Sequence, residues 1–229
     1  MDYKTEFGSR FDKLQASSEM EIHRNLQALS ASYRVFKGNY DELVHHLDHL
    51  NDPTESLFMY SYEQRDNLER LIDEASRLFH NFLASAKSLV DHTRVIVNRL
   101  YSNQEFKKEY DKKLAGDLAN NPIQKFVQRL RNYTQHYTLP IPALQIEFGE
   151  DDIEMSVRLD VKILKQWHDW GLIPLSYLEE SGDSLCLISL SNEYFALVEQ
   201  FYQWLTERQT QIHKSDIENL QKMNNELTI

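Results

Sequence analysis

The fold is decided by residues 68–97, which read LERLIDEASRLFHNFLASAKSLVDHTRVIV. Apolar residues recur in this stretch at intervals of three and four, the spacing that places them along one face of an α-helix. The stretch lies inside a 62-residue run, Thr54–Ala115, that contains neither Gly nor Pro. We therefore predict one long helix over residues 59–101, packed antiparallel against other long helices.

The segments on either side of this helix also have helical patterns. Residues 9–50 predict a helix that is broken near Gly38, and the turn signal Asn51–Pro53 marks its end. Ser102 and Glu105 have the spacing of a capping box, which predicts a further short helix starting there.

Asn121 and Pro122 predict the start of the next helix. Asn is a favoured N-cap residue, and Pro is favoured in the first helical position. The apolar positions that follow extend this helix over residues 122–137.

After Pro142 the pattern changes from helical to alternating. Two short β-like runs, Ala143–Phe148 and Ile153–Leu159, flank the turn residues Gly149–Asp152, so we predict a β hairpin. Three further elements are predicted: a short helix over Val161–Trp170, a short strand or an extended run over Ser184–Leu190, and a final helix over Asn192–Asn225.

The C-terminal half is also rich in aromatic residues. Seven of them lie near helical spacing: Trp167, Trp170, Tyr194, Phe195, Phe201, Tyr202 and Trp204. Stacking on nucleic-acid bases requires exposed rings on a basic surface, and this part of the chain is acidic. We therefore expect these residues in the core.

Charged residues are unevenly distributed along a chain whose formal net charge is −11. Residues 75–146 carry eleven basic and five acidic side chains, whereas residues 1–74 and 147–229 have net charges of −7 and −10. No Asp or Glu occurs between Asp117 and Glu147. The overall charge argues against a general nucleic-acid coat protein, but a local basic surface still attracts anions. A buried helix explains an acid-poor stretch equally well, so both interpretations stay open.

Cys186 is the only cysteine, which excludes a disulfide framework and a multi-cysteine zinc cluster. Because it lies in the apolar run Leu185–Ile188, we expect a buried structural thiol and not a nucleophile.

No apolar run approaches the roughly 18 residues that a membrane span needs, and Met1–Arg10 is too polar for a secretory signal. These features predict a cytoplasmic protein with no membrane partner.

His45, His46 and His49 form the densest histidine cluster. His45 and His49 are four residues apart, so both rings could reach one metal ion, but no third ligand can be identified. We interpret the cluster as a solvated helix face, and we expect neither a metal nor another cofactor.

The residues with the clearest chemistry are Arg131, Asn132 and His136, on the helix predicted over 122–137. Asn132 and His136 share a helix face, and Arg131 lies about 140° from His136 around the axis, within reach of a long side chain. The three supply a permanent cation, a group that titrates near neutral pH and an orienting amide. These groups suffice for RNA cleavage without a metal, in which a His takes the ribose 2′-OH proton and an Arg stabilises the charge on phosphorus.

The segment 131–136 resembles the signature of the HEPN superfamily (higher eukaryotes and prokaryotes nucleotide-binding): an Arg, a polar residue that is often Asn, a few further residues and a His. The resemblance implies a helical bundle that dimerises so that two motifs line one cleft. Many such proteins are metal-independent endoribonucleases of toxin–antitoxin, phage-defence or RNA-processing systems, and others have lost catalysis. A second pair with the same spacing, Arg208 and His213, has Gln after its Arg and lies in the polar C-terminal region, so we do not assign it.

Within this interpretation each residue of the motif has a role. Arg131 stabilises the phosphate charge, His136 is the general acid and base, and Asn132 orients them. Lys125 and Arg129 on the same helix guide the RNA backbone by charge alone, so that salt weakens binding.

Residues on the long helix are candidates for the same site. Asp91 is an isolated acid that could orient His136 or pair with Arg131, and an ordinary pair with Lys87, four residues away, is the alternative. The same helix face carries two further candidate substrate-binding residues, Ser85 and His92.

The sequence therefore predicts a mainly α protein, a HEPN-like long-helix bundle with a small β hairpin in the C-terminal half. We divide it into a helical bundle, residues 1–142, and a hairpin with C-terminal helices, residues 143–229, packed on the same unit. The leading function is a homodimeric, metal-independent endoribonuclease that acts on RNA, with an antitoxin or regulator as protein partner. The alternatives are a non-catalytic interaction, adaptor or nucleotide-binding protein, and a small-molecule enzyme that uses the His45 cluster.

Overall fold

Nine α-helices, a π-helix and a three-stranded sheet make up the part of the chain described by this computed structural model, residues 3–50, 65–148 and 153–227. The elements run in the order α1 (Tyr3–Gln15), α2 (Ser18–Leu50), α3 (Arg65–Tyr101), α4 (Glu105–Leu114), the π-helix (Ala115–Ala119), α5 (Pro122–His136), β1 (Ala143–Phe148), β2 (Ile153–Asp160), α6 (Val161–Leu164), α7 (Leu172–Glu180), β3 (Ser184–Cys186), α8 (Leu187–Ile212) and α9 (Lys214–Leu227). The predicted fold class, mainly α with a small antiparallel sheet in the C-terminal half, is confirmed.

The two longest helices, α2 and α3, pack against each other at the centre of the core. The 37 residues of α3 extend about 56 Å at 1.5 Å per residue, which confirms the predicted long helix from Arg65 onward; residues 59–64 lie outside the described residues. The Phe36 ring of α2 stacks on Phe82 of α3 with centroids 5.5 Å apart, and on Phe195 of α8 at 5.8 Å. One hydrophobic core thus takes side chains from both halves of the chain.

The predicted break near Gly38 is wrong, because α2 runs through this residue without interruption. Phe36 and Leu43, on either side of Gly38, are fully buried, so the burial of a continuous apolar face outweighs the helix penalty of about 1 kcal/mol for a glycine. The break falls instead between α1 and α2. There the Ser17 hydroxyl accepts a hydrogen bond from the Met20 backbone N–H at 3.2 Å and caps α2.

The start of α4 also differs from the prediction. Ser102 does not cap this helix: the N-cap residue is Gln104, whose side chain makes no capping hydrogen bond, and the helix begins at Glu105. At its C-terminal end α4 widens into the π-helix. Single π turns are rare in proteins and occur frequently at functional sites.

The start of α5 is as predicted. The Asn121 side chain accepts a hydrogen bond from the Ile123 backbone N–H at 3.0 Å, and Pro122 is the first helical residue. The helix ends at His136, one residue before the predicted end. Its inward side packs against α3, α7 and α8.

The predicted hairpin strands are confirmed. β1 and β2 pair antiparallel with Leu144 opposite Val157, and β2 and β3 pair antiparallel with Leu159 opposite Leu185. The predicted turn, Gly149–Asp152, lies outside the described residues.

The predicted strand over Ser184–Leu190 ends at Cys186, because α8 begins at Leu187, five residues before the predicted start of the final helix. The Cys186 side chain is free and half-buried, so the thiol is less buried than predicted.

The segment before β3 contains the largest error of the prediction. The helix expected over Val161–Trp170 is limited to the single turn of α6, and α7 was not predicted. Gly171, immediately before α7, has a φ of 78°, a left-handed conformation that favours glycine. The final helix is also interrupted at His213, which separates α8 from α9.

The expectation of an aromatic C-terminal core is confirmed. Five of the seven residues are buried: Trp170, Tyr194, Phe195, Phe201 and Tyr202. Trp167 and Trp204 are half-buried.

Candidate functional site

The outward face of α5 carries a line of polar and basic side chains. Four of them follow one another at intervals of four, three and four residues: Lys125, Arg129, Asn132 and His136. At 100° per residue they fall within about 60° of one another around the helix axis. The opposite face is held in the core by Phe126, Val127, Leu130 and Tyr133. Burial of that apolar face therefore turns the polar line towards solvent.

A groove of about 640 Å³ runs beside this line. Its walls are formed by α5 and by the segment that leads into α7: Lys125, Gln128, Arg129, Asn132 and Trp170–Pro174. None of these lining residues is acidic. The N-terminal turn of α7 adds the partial positive charge of a helix N-terminus. Two cations and a helix N-terminus, with no carboxylate on the wall, form a groove that attracts anions.

His136 is the last residue of α5, one turn beyond Asn132. Its side chain is exposed. Among the described residues, none hydrogen-bonds to its imidazole ring. The ring is therefore open to a ligand, and no hydrogen bond from the described part of the chain fixes its orientation.

Arg131 lies around the helix from the groove and does not line it. Its Nη1 donates a hydrogen bond to Asn132 Oδ1 at 3.3 Å, so these two residues of the motif are in contact. Its Nε is buried and has no hydrogen-bond partner within the described ranges. The positive charge of Arg131 also contributes to the lowered pKa of Asp91 on α3.

Asp91 is paired on its own helix. Lys87 Nζ lies 2.5 Å from its carboxylate and Arg94 Nη2 lies at 3.2 Å. The hydrogen bond from Lys87 is the main cause of the lowered pKa of Asp91, and the charges of Lys87, Arg94 and Arg131 add to it. The alternative pairing with Lys87 is therefore confirmed, and no described contact joins Asp91 to His136.

The other two candidates on α3 are not brought to the groove. Ser85 is buried, and its hydroxyl donates to the Phe82 carbonyl oxygen at 2.9 Å. His92 Nδ1 lies 2.8 Å from the Ser32 hydroxyl, which places the ring against α2.

The histidine cluster near the end of α2 is split between two environments. His45 and His49 are exposed, with their Nε2 atoms 3.3 Å apart, whereas His46 Nε2 lies 2.9 Å from the Leu71 carbonyl oxygen on α3. In the described part of the chain, no group of three or more His, Cys, Asp or Glu side chains is placed to hold a metal ion.

Both side chains of the second Arg–His pair are occupied. Arg208 forms a bidentate salt bridge with Glu109, in which Nε donates to Oε1 at 2.7 Å and Nη2 donates to Oε2 at 2.8 Å. His213 is buried, with Nε2 at 2.9 Å from the Tyr101 hydroxyl and Nδ1 at 2.7 Å from Asp216 Oδ2. These contacts join α8 and α9 to α3 and α4.

The wall of the groove opposite α5 was missed at the level of sequence, because it belongs to the helix that was not predicted. Gly171 followed three residues later by Pro174 was the available signal, since proline is favoured in the first turn of a helix. Gln128 was also missed, although it follows Lys125 by three residues on the same helix.

Comparison of the chain with protein-family models, with curated proteins and with solved structures gives no match. Within the described residues, no helix is both long enough and apolar enough to cross a membrane.

Proposed function

We propose that this chain is a metal-independent endoribonuclease, HEPN-like in its motif, that binds RNA along the outward face of α5. One observation carries the proposal. The α5 wall of the groove carries two cations, Lys125 and Arg129, the lining contains no acid, and the line of side chains continues to an exposed histidine. A phosphate backbone lying in this groove is attracted by both cations and passes towards His136.

The proposed reaction uses only side chains of the motif. His136 accepts the proton of a ribose 2′-OH, the 2′-oxygen attacks the adjacent phosphorus, and the 5′-oxygen of the next nucleotide leaves with a proton. The products are a 2′,3′-cyclic phosphate and a 5′-hydroxyl end. Because Arg131 does not line the groove, we place the scissile phosphate at the edge of the groove beside Asn132. There the Arg131 guanidinium stabilises the negative charge on the phosphoryl oxygens, and Asn132, already in contact with Arg131, orients it. In the proposed homodimer, the His136 of a second copy supplies the proton for the leaving oxygen.

The test is cleavage of a labelled mixed-sequence RNA in the presence of EDTA. We expect cyclic-phosphate ends from the wild type and a loss of at least about 100-fold in rate for His136→Ala, since general acid–base catalysis contributes that much. His45→Ala is the matched control, because His45 is also an exposed helical histidine. Equal loss in both variants, or cleavage that EDTA abolishes, contradicts the mechanism.

Binding is measured separately from cleavage. Lys125→Gln and Arg129→Gln are each expected to make the slope of log affinity against log salt concentration shallower by about 0.7. This is the contribution of one phosphate contact of a single strand. Lys108→Gln is the control, because Lys108 is exposed on α4 and pairs with Glu105 there. Unchanged salt dependence in both groove variants places RNA elsewhere.

The second candidate function is a non-catalytic protein that binds RNA, a nucleotide or a protein regulator through the same groove. It is favoured by the absence of any described hydrogen bond that would hold the His136 ring in place. Under this alternative the wild type binds RNA without cleaving it, Arg129→Gln weakens binding, and His136→Ala has little effect. Sedimentation of the wild type separately tests the proposed homodimer.

A further inference from the structure

A second cavity lies on the other side of α5 from the groove, enclosed by α3, α4, the π-helix, α5 and α8. Its volume is about 360 Å³. Small-molecule sites usually have volumes of roughly 300–1,000 Å³, and an engineered apolar cavity of about 150 Å³ already binds benzene. The available space is therefore that of a small ligand and not of a packing defect.

The lining of this cavity is mainly apolar, and four of its sixteen residues are aromatic. Tyr110 comes from α4, and Tyr194, Phe201 and Tyr202 come from α8. All four side chains are buried in the core. Leu118 of the π-helix forms a further part of the wall. Aromatic rings pack best against another flat ring, in edge-to-face or offset geometry.

One buried polar atom in the wall lacks a partner. Gln124 is 5% exposed, and its side chain hydrogen-bonds to the Tyr194 hydroxyl, but its Oε1 has no hydrogen-bond partner in the described structure. By contrast, the hydroxyl groups of Thr93 and Tyr202 are bonded to each other, and each also bonds to the Leu89 carbonyl oxygen. Gln124 Oε1 is therefore an acceptor that suits a ligand with an N–H or O–H donor.

The mouth of the cavity carries charge. Its exposed lining residues are Arg94, Asn98 and Asp111. Asp111 is paired with Lys107, whose Nζ lies 2.6 Å from its carboxylate. Among the described residues, Arg94 is held only by a 3.2 Å contact to Asp91, a carboxylate that Lys87 already engages at 2.5 Å. The guanidinium of Arg94 is therefore the cation at this mouth that can engage an anion.

We propose that this cavity binds an aromatic monocarboxylate whose ring carries an N–H donor. The ring packs between the tyrosines, the donor reaches Gln124 Oε1, and the carboxylate pairs with Arg94 at the mouth. The site is independent of the proposed nuclease function, because it shares no lining residue with the groove beside α5.

The test uses three probes with one ring and different charge, indole-3-propionate, its neutral amide and tryptamine, titrated calorimetrically into the full chain. We expect the carboxylate to bind about tenfold more tightly than the amide, because a charge-assisted hydrogen bond is roughly twice as strong as a neutral one. Arg94→Gln is expected to remove this difference and leave the amide unaffected. Arg34→Gln, an exposed arginine on α2, is the control and is expected to preserve the difference.

Two further variants locate the ring. Val90 is half-buried and lines the cavity, so Val90→Phe is expected to fill it and abolish binding of every probe. Gln124→Leu is expected to weaken indole-3-propionate but not its N-methyl analogue, which has no donor. No binding of indole-3-propionate at millimolar concentration overturns the proposal, and so does tighter binding of tryptamine or unchanged affinity in Val90→Phe.

Discussion

Replacing Tyr133 by Phe is expected to stabilise the protein, although Tyr133 lies at the centre of the proposed motif helix. The residue is 0% exposed, and its hydroxyl is buried with no hydrogen-bond partner among the described residues. The ring packs at 5.7 Å from Trp167 and 5.6 Å from Trp170, contacts that a phenylalanine retains. Because an unsatisfied buried polar group costs about 1–3 kcal/mol, we expect the free energy of unfolding to rise by about 1–2 kcal/mol.

Tyr101 provides the matched comparison, because it is also 0% exposed. Its hydroxyl lies 2.9 Å from His213 Nε2, so Tyr101→Phe leaves that buried nitrogen without its partner. We expect a loss of about 1–3 kcal/mol from this variant. Two chemically identical substitutions at equal burial are thus expected to change stability in opposite directions, by roughly 2–5 kcal/mol relative to each other.

The assay is guanidinium unfolding followed by circular dichroism, with thermal unfolding as a second measurement. For a chain of this size, 1 kcal/mol corresponds to about 2–4 °C in Tm. A loss of stability in Tyr133→Phe equal to that in Tyr101→Phe would refute the reasoning, since it would show that the Tyr133 hydroxyl is satisfied. RNA cleavage by Tyr133→Phe is expected to match the wild type, because the proposed reaction does not use this hydroxyl.

Three further substitutions or conditions test the fold itself. Asn121→Ala removes the cap on the Ile123 N–H and is expected to cost about 0.5–2 kcal/mol. Leu43→Ala, at a residue that is 0% exposed, is expected to cost about 2–5 kcal/mol, measured by denaturant unfolding. Burial raises the pKa of Tyr101 and Tyr110 to about 12. The folded protein therefore keeps protons that unfolded tyrosines lose near pH 10. Because of this difference, the stabilisation is complete below pH 10, and the free energy of unfolding falls between pH 10 and 12 by about 1.4 kcal/mol per pH unit for each tyrosine.

Each of these predictions has its own control. Asn121→Ser keeps a capping oxygen and is expected to restore most of the stability. Val35→Ala changes a residue that is 59% exposed and is expected to alter stability by less than about 0.5 kcal/mol. Tyr110→Phe is expected to reduce the slope of the stability loss between pH 10 and 12 by the contribution of one tyrosine. An unchanged slope in this variant would contradict the raised pKa of Tyr110.

The features that local chemistry decides were predictable from the sequence. The start of α5 depends on two adjacent residues, Asn121 and Pro122, and the structure has the expected cap. The length of α3 follows from an apolar face uninterrupted by Gly or Pro. Gly38 misled the prediction because a local penalty of about 1 kcal/mol is smaller than what the buried residues around it contribute.

The features that depend on distant parts of the chain were not predictable. The groove exists because α7 lies beside α5, and the short, strongly apolar sequence of α7 has no helical periodicity that would have revealed it. The cavity on the other side of α5 is enclosed by five elements, and its unpartnered acceptor, Gln124, looks like any surface glutamine in sequence. Asp91 could be placed only once Lys87 and Arg94 were seen on either side of it.

The packing of α1 against α9 has a consequence for the order of folding during synthesis. Arg10 Nη1 donates to the Glu226 carbonyl oxygen at 3.0 Å across a separation of 216 residues. At about 5–20 residues per second, roughly 10–40 s pass between synthesis of these two residues. A helix forms within about a microsecond, so α1 can be helical long before α9 exists to cover it. Phe7 and Phe11 stack on each other and are 44% and 42% exposed even in the folded structure, so α1 presents an apolar surface to which a chaperone can bind throughout that interval.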